Sequence, residues 1–158
     1  MGRNKDYNPP DEFGLKYIQI TDIQLIPEYL VTQVKGAPWT PEDLYQNWNI
    51  YMHSPFNLLY ALADEHYATR GFVWLTIHPM GKYVMVNAVS IDRKYQGKGW
   101  PNKSLRQFIE RILNKISFSK VVWATTRPGA FRKIAQKSPL TVMEVHHGRL
   151  DNPTAIHG

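Results

Sequence analysis

The strongest constraint on this chain is a single segment, residues 84–105, which reads VMVNAVSIDRKYQGKGWPNKSL. An apolar strand runs into a basic loop marked by glycines, and the loop opens an amphipathic helix. Such an arrangement suits phosphate. Gly97 and Gly99 let the backbone approach a ligand closely, while the first amides of the following helix carry N–H groups with no partner of their own. The positive end of the helix dipole reinforces them. Arg93, Lys94, Lys98, Lys103 and Arg106 add cationic charge around the same place.

Other properties of the chain narrow what the segment can serve. At 158 residues one domain with one core is expected. Hydrophobic residues at 43% and aromatic residues at 13% exclude a disordered chain. No apolar run approaches the ~18 residues of a membrane span, and the opening MGRNKDYNPPDEFG lacks the apolar core of a secretory signal. With no cysteine, disulfides, thiolate metal sites and cysteine nucleophiles are ruled out, which fits a cytoplasmic setting. Nineteen Lys and Arg against 13 Asp and Glu leave a charge of +6, so anionic partners are favoured. Because the charge clusters at 93–106, a phosphorylated cofactor is the better fit and nucleic acid the lesser one.

The pattern divides the chain into a flexible arm at 1–14, one domain at 15–147 and a polar tail at 148–158. Tyr17, Ile18, Ile20 and Ile23 suggest a first strand. Pro27 can then open a short helix carrying Leu30, Val31 and Val34, with Gly36 ending it. A second helix has Thr40 as N-cap, Pro41 at its first position and Asp43 completing a capping-box pattern, followed by Leu44, Trp48, Tyr51 and Met52 at helical spacing. Residues 57–63, 71–77 and 83–91 read as strands, the last two joined by a turn at 78–82 into a hairpin. Leu105, Phe108, Ile109, Ile112, Leu113 and Ile116 form the apolar stripe of the longest helix. A strand at 121–126, a short helix at 130–137 and a strand at 140–145 complete the order β-α-α-β-β-β-α-β-α-β, an α+β fold with a mixed, mostly antiparallel sheet flanked by helices.

That order, with a strand ending in Val89, Ser90 and Ile91 and the run Gln96-Gly97-Lys98-Gly99-Trp100-Pro101, resembles the GCN5-related N-acetyltransferase (GNAT) superfamily. The signature of that superfamily is Gln or Arg, two residues, Gly, one residue, then Gly or Ala. Gln96 and Gly99 match it, and Pro101 stands where the last small residue belongs. The resemblance implies that the backbone of Val89, Ser90 and Ile91 hydrogen-bonds the pantetheine arm of acetyl-CoA. It also implies that Gln96, Gly97, Lys98, Gly99, Trp100, Asn102 and Lys103 hold the pyrophosphate. Pro101 supplies no N–H to such a cradle, and Asn102 can cap the helix in its place.

Acetyl transfer requires the amine to lose a proton and the departing thiolate to gain one. The tyrosine that members of the superfamily often use falls near Ala135 here, so no hydroxyl is available. Strict alternation along the fourth strand puts Met85, Asn87 and Val89 on one face and Ser90 and Asp92 on the other. The catalytic candidates are Asp92, the only base by side-chain type, and Asn87.

Other features invite blander readings. Asp64, Glu65 and His66 look like an acid/base cluster but fit a turn between strands. His146 and His147, as neighbours on a strand, point to opposite faces and cannot share a metal, and no metal is expected. Of the five tryptophans, Trp39, Trp48, Trp74 and Trp123 sit in core patterns, whereas Trp100 either covers the cofactor or plugs the loop.

Three functions remain in play. Foremost is an N-acetyltransferase moving acetyl from acetyl-CoA to an amine, small molecule or protein, placed by the two N-terminal helices and the region 57–66. The second is an eroded acetyltransferase-like domain serving as a binding or structural module, since short chains of this fold with worn motifs occur in bacteriophages, virion proteins included. Third, residues 97–104 differ at Asn102 alone from the nucleotide-binding pattern GxxxxGK[ST].

Overall fold

Six strands hydrogen-bond in the order in which they follow one another along the chain. They are β1 (Lys16–Ile20), β2 (Asn57–Ala63), β3 (Thr69–His78), β4 (Tyr83–Ile91), β5 (Lys120–Ala124) and β6 (Thr141–Val145) in a computed structural model that describes residues 10–34, 37, 39–124 and 141–145. β1 to β4 pair antiparallel, and β4–β5 and β5–β6 pair parallel. A tight turn suffices between antiparallel neighbours, but a parallel pair needs a crossover. Helix α3 (Arg106–Ile116) makes it from β4 to β5, while α1 (Glu28–Thr32) and α2 (Pro41–Met52) lie between β1 and β2. This is the expected α+β arrangement. The helix expected at 130–137, His146, His147 and the tail at 148–158 lie outside the described residues.

Local chemistry explains most element ends. The Thr40 hydroxyl accepts the Asp43 N–H at 3.1 Å and the Asp43 carboxylate accepts the Thr40 N–H at 3.3 Å, a complete capping box with Pro41 behind it. Ile23 leaves β1, because Asp22 accepts the Gln24 N–H at 2.9 Å and starts a 3₁₀ turn over Ile23–Leu25. Pro27 sits just ahead of α1, which stops at Thr32, so Val34 packs on the core from beyond its end. Ahead of β1, the Asp11 carboxylate accepts the N–H groups of Phe13 and Leu15, and Leu15 is fully buried, while residues 1–9 lie outside the described residues.

The sheet separates two apolar layers. On one face, Leu30 and Val31 of α1 and Leu44 and Trp48 of α2 cover Leu59, Phe72, Trp74 and Ala88. On the other, Phe108, Ile109, Ile112 and Leu113 of α3 cover Leu62, Val73, Leu75, Val84 and Val86. Each of those α3 side chains contributes roughly 1.5–3 kcal/mol of transfer free energy, so the stripe anchors the helix. Trp48, Trp74 and Trp123 are buried as expected, and Tyr51 and Met52 lie at the exposed end of α2. Trp100 is 1% exposed within the α3 layer, so its ring plugs the loop.

Strict alternation fails within β4. Trp74 faces Ala88 but Leu75 faces Val86, so Asn87 is an extra residue in β4, a bulge. Val89 and Ile91 therefore join Val84 and Val86 in the α3 layer, and Ala88 turns to the other face. Close to the end of β4, a Cβ on Gly71 would stand 2.6 Å from the Ser90 carbonyl oxygen, so only glycine lets the two strands approach this closely.

Candidate functional site

The bulge coincides with the end of the β4–β5 pairing among the described residues. β4 pairs with β5 from Tyr83↔Lys120 to Val86↔Trp123, and past Val86 it has no β5 partner among the described residues. A bulge bends its strand and sharpens the local twist, and among the described residues the β4–β5 pairing ends where the extra residue enters. The Asp92 N–H donates to the Arg70 carbonyl at 2.7 Å, which sets the phase of the pairing. Residues 88 and 90 turn their backbone groups to β3, and Val89 and Ile91 turn theirs to the open edge. The Ile91 carbonyl accepts from the side-chain amides of Gln96 at 2.9 Å and Gln33 at 3.4 Å, as that direction requires.

From this edge the chain passes into the loop. Asp92 caps a 3₁₀ turn over Arg93–Tyr95 by accepting the Lys94 N–H at 3.0 Å, and the Tyr95 ring is buried below. Gly97 at φ +75° and Gly99 at φ +80° occupy the left-handed region that side chains disfavour. The helix then begins at Trp100, with the Lys103 N–H donating to the Gly99 carbonyl at 3.0 Å. Pro101 falls in the first turn, where amides have no intrahelical partner, so its missing N–H costs the helix nothing. The cradle loses one donor while Trp100 and Asn102 keep theirs. Asn102, expected as the cap, lies inside this turn instead.

A π-helical turn over Pro101–Leu105 leads into α3, the Arg106 N–H reaching back to the Pro101 carbonyl. Arg93, Lys94, Lys98 and Lys103 are exposed around the loop, and the Arg106 guanidinium pairs with Glu110 at 3.1 Å one turn on. Beside the loop, Thr32, Gln33, Arg93 and Gln96 line a groove of about 410 Å³.

The two catalytic candidates sit at opposite ends of the edge. Asn87 donates to the Thr76 hydroxyl at 2.6 Å. Asp92 accepts from the Lys94 amide and from the Tyr29 hydroxyl at 2.7 Å, with the Arg70 guanidinium 3.8 Å away. Those donors, the Lys94 amide foremost, hold the Asp92 carboxyl below its ordinary range. It is therefore ionised at neutral pH and a weaker proton acceptor than a free aspartate. Burial, with Asp92 adding to it, raises the Tyr29 phenol, which stays protonated.

Asp64, Glu65 and His66 form the β2–β3 turn. The Asp64 carboxylate accepts the His66 and Ala68 N–H groups and the Arg70 guanidinium at 2.9 Å, which lowers its pKa. Glu65 and His66 are 82% exposed. Three residues that pattern reading passed over gather at the end of β4: Tyr29 and Gln33 from the first helical region and Arg70 from β3. The Gln33 amide donates to the buried Ser90 hydroxyl at 2.9 Å. No spacing announces these contacts, because they join segments up to 63 residues apart.

The overall fold recurs in solved structures. A mutant form of SpeG spermidine N-acetyltransferase from Vibrio cholerae superposes with a TM-score of 0.54 at 14% identity, over 70% of this chain and 69% of its own. Mutant forms of the same organism's spermidine/spermine N-acetyltransferase SpeG give 0.55 at 14% identity over the same shares. The fold is that of the GNAT acetyltransferases. No known family's sequence profile matches the chain, and no curated sequence does. The residues expected to hold acetyl-CoA lie at the end of β4, 89–91, and in the loop and helix start that follow it, 96–103. Trp100 is buried, with its ring inside the α3 layer. Among the described residues, no helix is long and apolar enough to cross a membrane and no three His, Asp or Glu gather as metal ligands.

Proposed function

We propose that this chain is an N-acetyltransferase that binds acetyl-CoA along the edge of β4 and at the 96–103 loop, and passes the acetyl group to an amine. The observation that carries the reading is the continuity of the site: among the described residues β4 has no β5 partner past the bulge, and it ends in a loop with two left-handed glycines at a helix start. The edge groups of Val89 and the Ile91 N–H suit the amides of a pantetheine arm, and the loop and first-turn amides suit a pyrophosphate. The Val89 N–H is a donor able to polarise a thioester carbonyl beside it. An amine then bonds to the acyl carbon as the carbon–sulfur bond breaks, and the proton lost by nitrogen balances the one gained by sulfur. The solved neighbours are named for spermidine and spermine, so polyamines are the first acceptors to try.

Titration calorimetry with acetyl-CoA tests the binding half, with ATP as the control ligand. Binding with thermal stabilisation is expected, and neither effect at millimolar acetyl-CoA removes the proposal. Amine-dependent release of free thiol tests the chemistry.

One observation favours a second reading, in which the domain binds without turnover. Asp92 is held by two hydrogen-bond donors and an ion pair with Arg70 and carries a lowered pKa, so it suits anchoring the end of β4 better than taking a proton. Tight acetyl-CoA binding with no thiol release from any amine would favour the binding module.

A further inference from the structure

The start of the α3 helix is tied to the N-terminal segment by a buried polar chain. Ser104 lies in the π-helical turn, 4% exposed, and its hydroxyl donates to the Asp11 carboxylate. The Tyr17 hydroxyl lies 2.9 Å from the same oxygen. A serine hydroxyl has one proton, and a carboxylate only accepts, so Tyr17 donates to Ser104 and Ser104 to Asp11. The other Asp11 oxygen accepts the N–H groups of Phe13 at 2.8 Å and Leu15 at 2.9 Å, which holds the carboxylate in place. The Tyr17 ring stacks on Phe108 of α3 at 4.1 Å.

We propose that Asp11, Ser104 and Tyr17 are positioning residues that hold the first turns of this helix in the widened form, and so aim the loop amides at the coenzyme; the inference rests on the acetyl-CoA reading above. A hydroxyl and a carboxylate placed under a helix start cost desolvation that an apolar pair would not, so their gain lies in fixing one geometry. The geometry they fix is unusual. Ser104 sits inside the turn where the Arg106 N–H skips to the Pro101 carbonyl, and relaxation to a regular α-turn would rotate the preceding residues relative to Gly97 and Gly99. Burial raises the Tyr17 phenol far above its ordinary value, which keeps its proton available to Ser104.

The test compares Ser104→Ala, Ser104→Thr and Asp11→Asn with the wild type by amide hydrogen exchange and by calorimetry with acetyl-CoA. Ser104→Ala and Asp11→Asn should speed exchange in residues 103–108, leave α2 and β2 unchanged, and weaken acetyl-CoA binding about tenfold. Ser104→Thr, which keeps the hydroxyl, should restore both. If exchange rises evenly across the chain, or if Ser104→Ala binds acetyl-CoA as tightly as a wild type that does bind, the proposal fails alone. If the wild type binds none, it falls together with the reading that carries it.

Discussion

Replacing Gly99 with alanine isolates the backbone contribution of the loop. Glycine at φ +80° there is free of strain, whereas an L-residue in the left-handed region carries about 1–2 kcal/mol. Sterics add little: a Cβ would meet Lys103 Cε at 3.5 Å and Cδ at 3.7 Å, ordinary contact distances. The unfolded chain loses freedom in the variant, which returns about 0.4–1 kcal/mol. The net destabilisation is then about 0.5–1 kcal/mol, a drop in Tm of about 1–4 °C for a chain of this size. Binding should suffer more. In the free variant the loop can relieve its strain by leaving the left-handed conformation, and the ligand must restore it, so affinity should fall about 5- to 30-fold. Thermal denaturation and acetyl-CoA calorimetry measure the two effects separately. Asparagine, which tolerates this region better, should give a smaller loss of both. If Gly99→Ala matches the wild type in Tm and affinity, the left-handed loop is not what shapes the site.

Two further outcomes follow from local geometry. Ser117 closes α3 at φ +61° with its N–H on the Asn114 and Leu113 carbonyls, a position glycine fills without strain, so Ser117→Gly should raise stability by about 0.5–1 kcal/mol in a urea titration; a lower midpoint contradicts the assignment. Asp92 has a folded pKa below its unfolded value, so its stabilisation is present above about pH 4 and is lost as pH falls further. The stability difference between wild type and Asp92→Asn should therefore shrink between pH 6 and pH 3, and a constant difference refutes the role given to its donors.

Elements whose cause lies within a few residues could be read from the chain directly. Thr40, Pro41 and Asp43 start a helix through contacts three residues apart, and the stripe from Leu105 to Leu113 needs only a period to show its buried face. The bounds of β2 and β4 match the apolar runs at 57–63 and 83–91. The glycine loop was legible for the same reason, because glycine takes the left-handed conformation more readily than any other residue.

What tertiary structure alone decided is how those pieces meet. The bulge at Asn87 depends on the offset of β3 against β4, and no residue type marks it. That offset reverses the faces expected for Val89 and opens the strand edge on which the site depends. Asp92 reads as a free base until Tyr29 and Arg70 arrive from other elements and join the Lys94 amide in lowering its pKa, and Ser104 reads as the end of a nucleotide-binding pattern until Asp11, 93 positions away, accepts its hydrogen bond. Local propensity is a property of neighbours in sequence and was determined by the sequence itself. The proton affinity of a carboxylate and the open side of a strand are properties of neighbours in space, and only the folded chain brings those together.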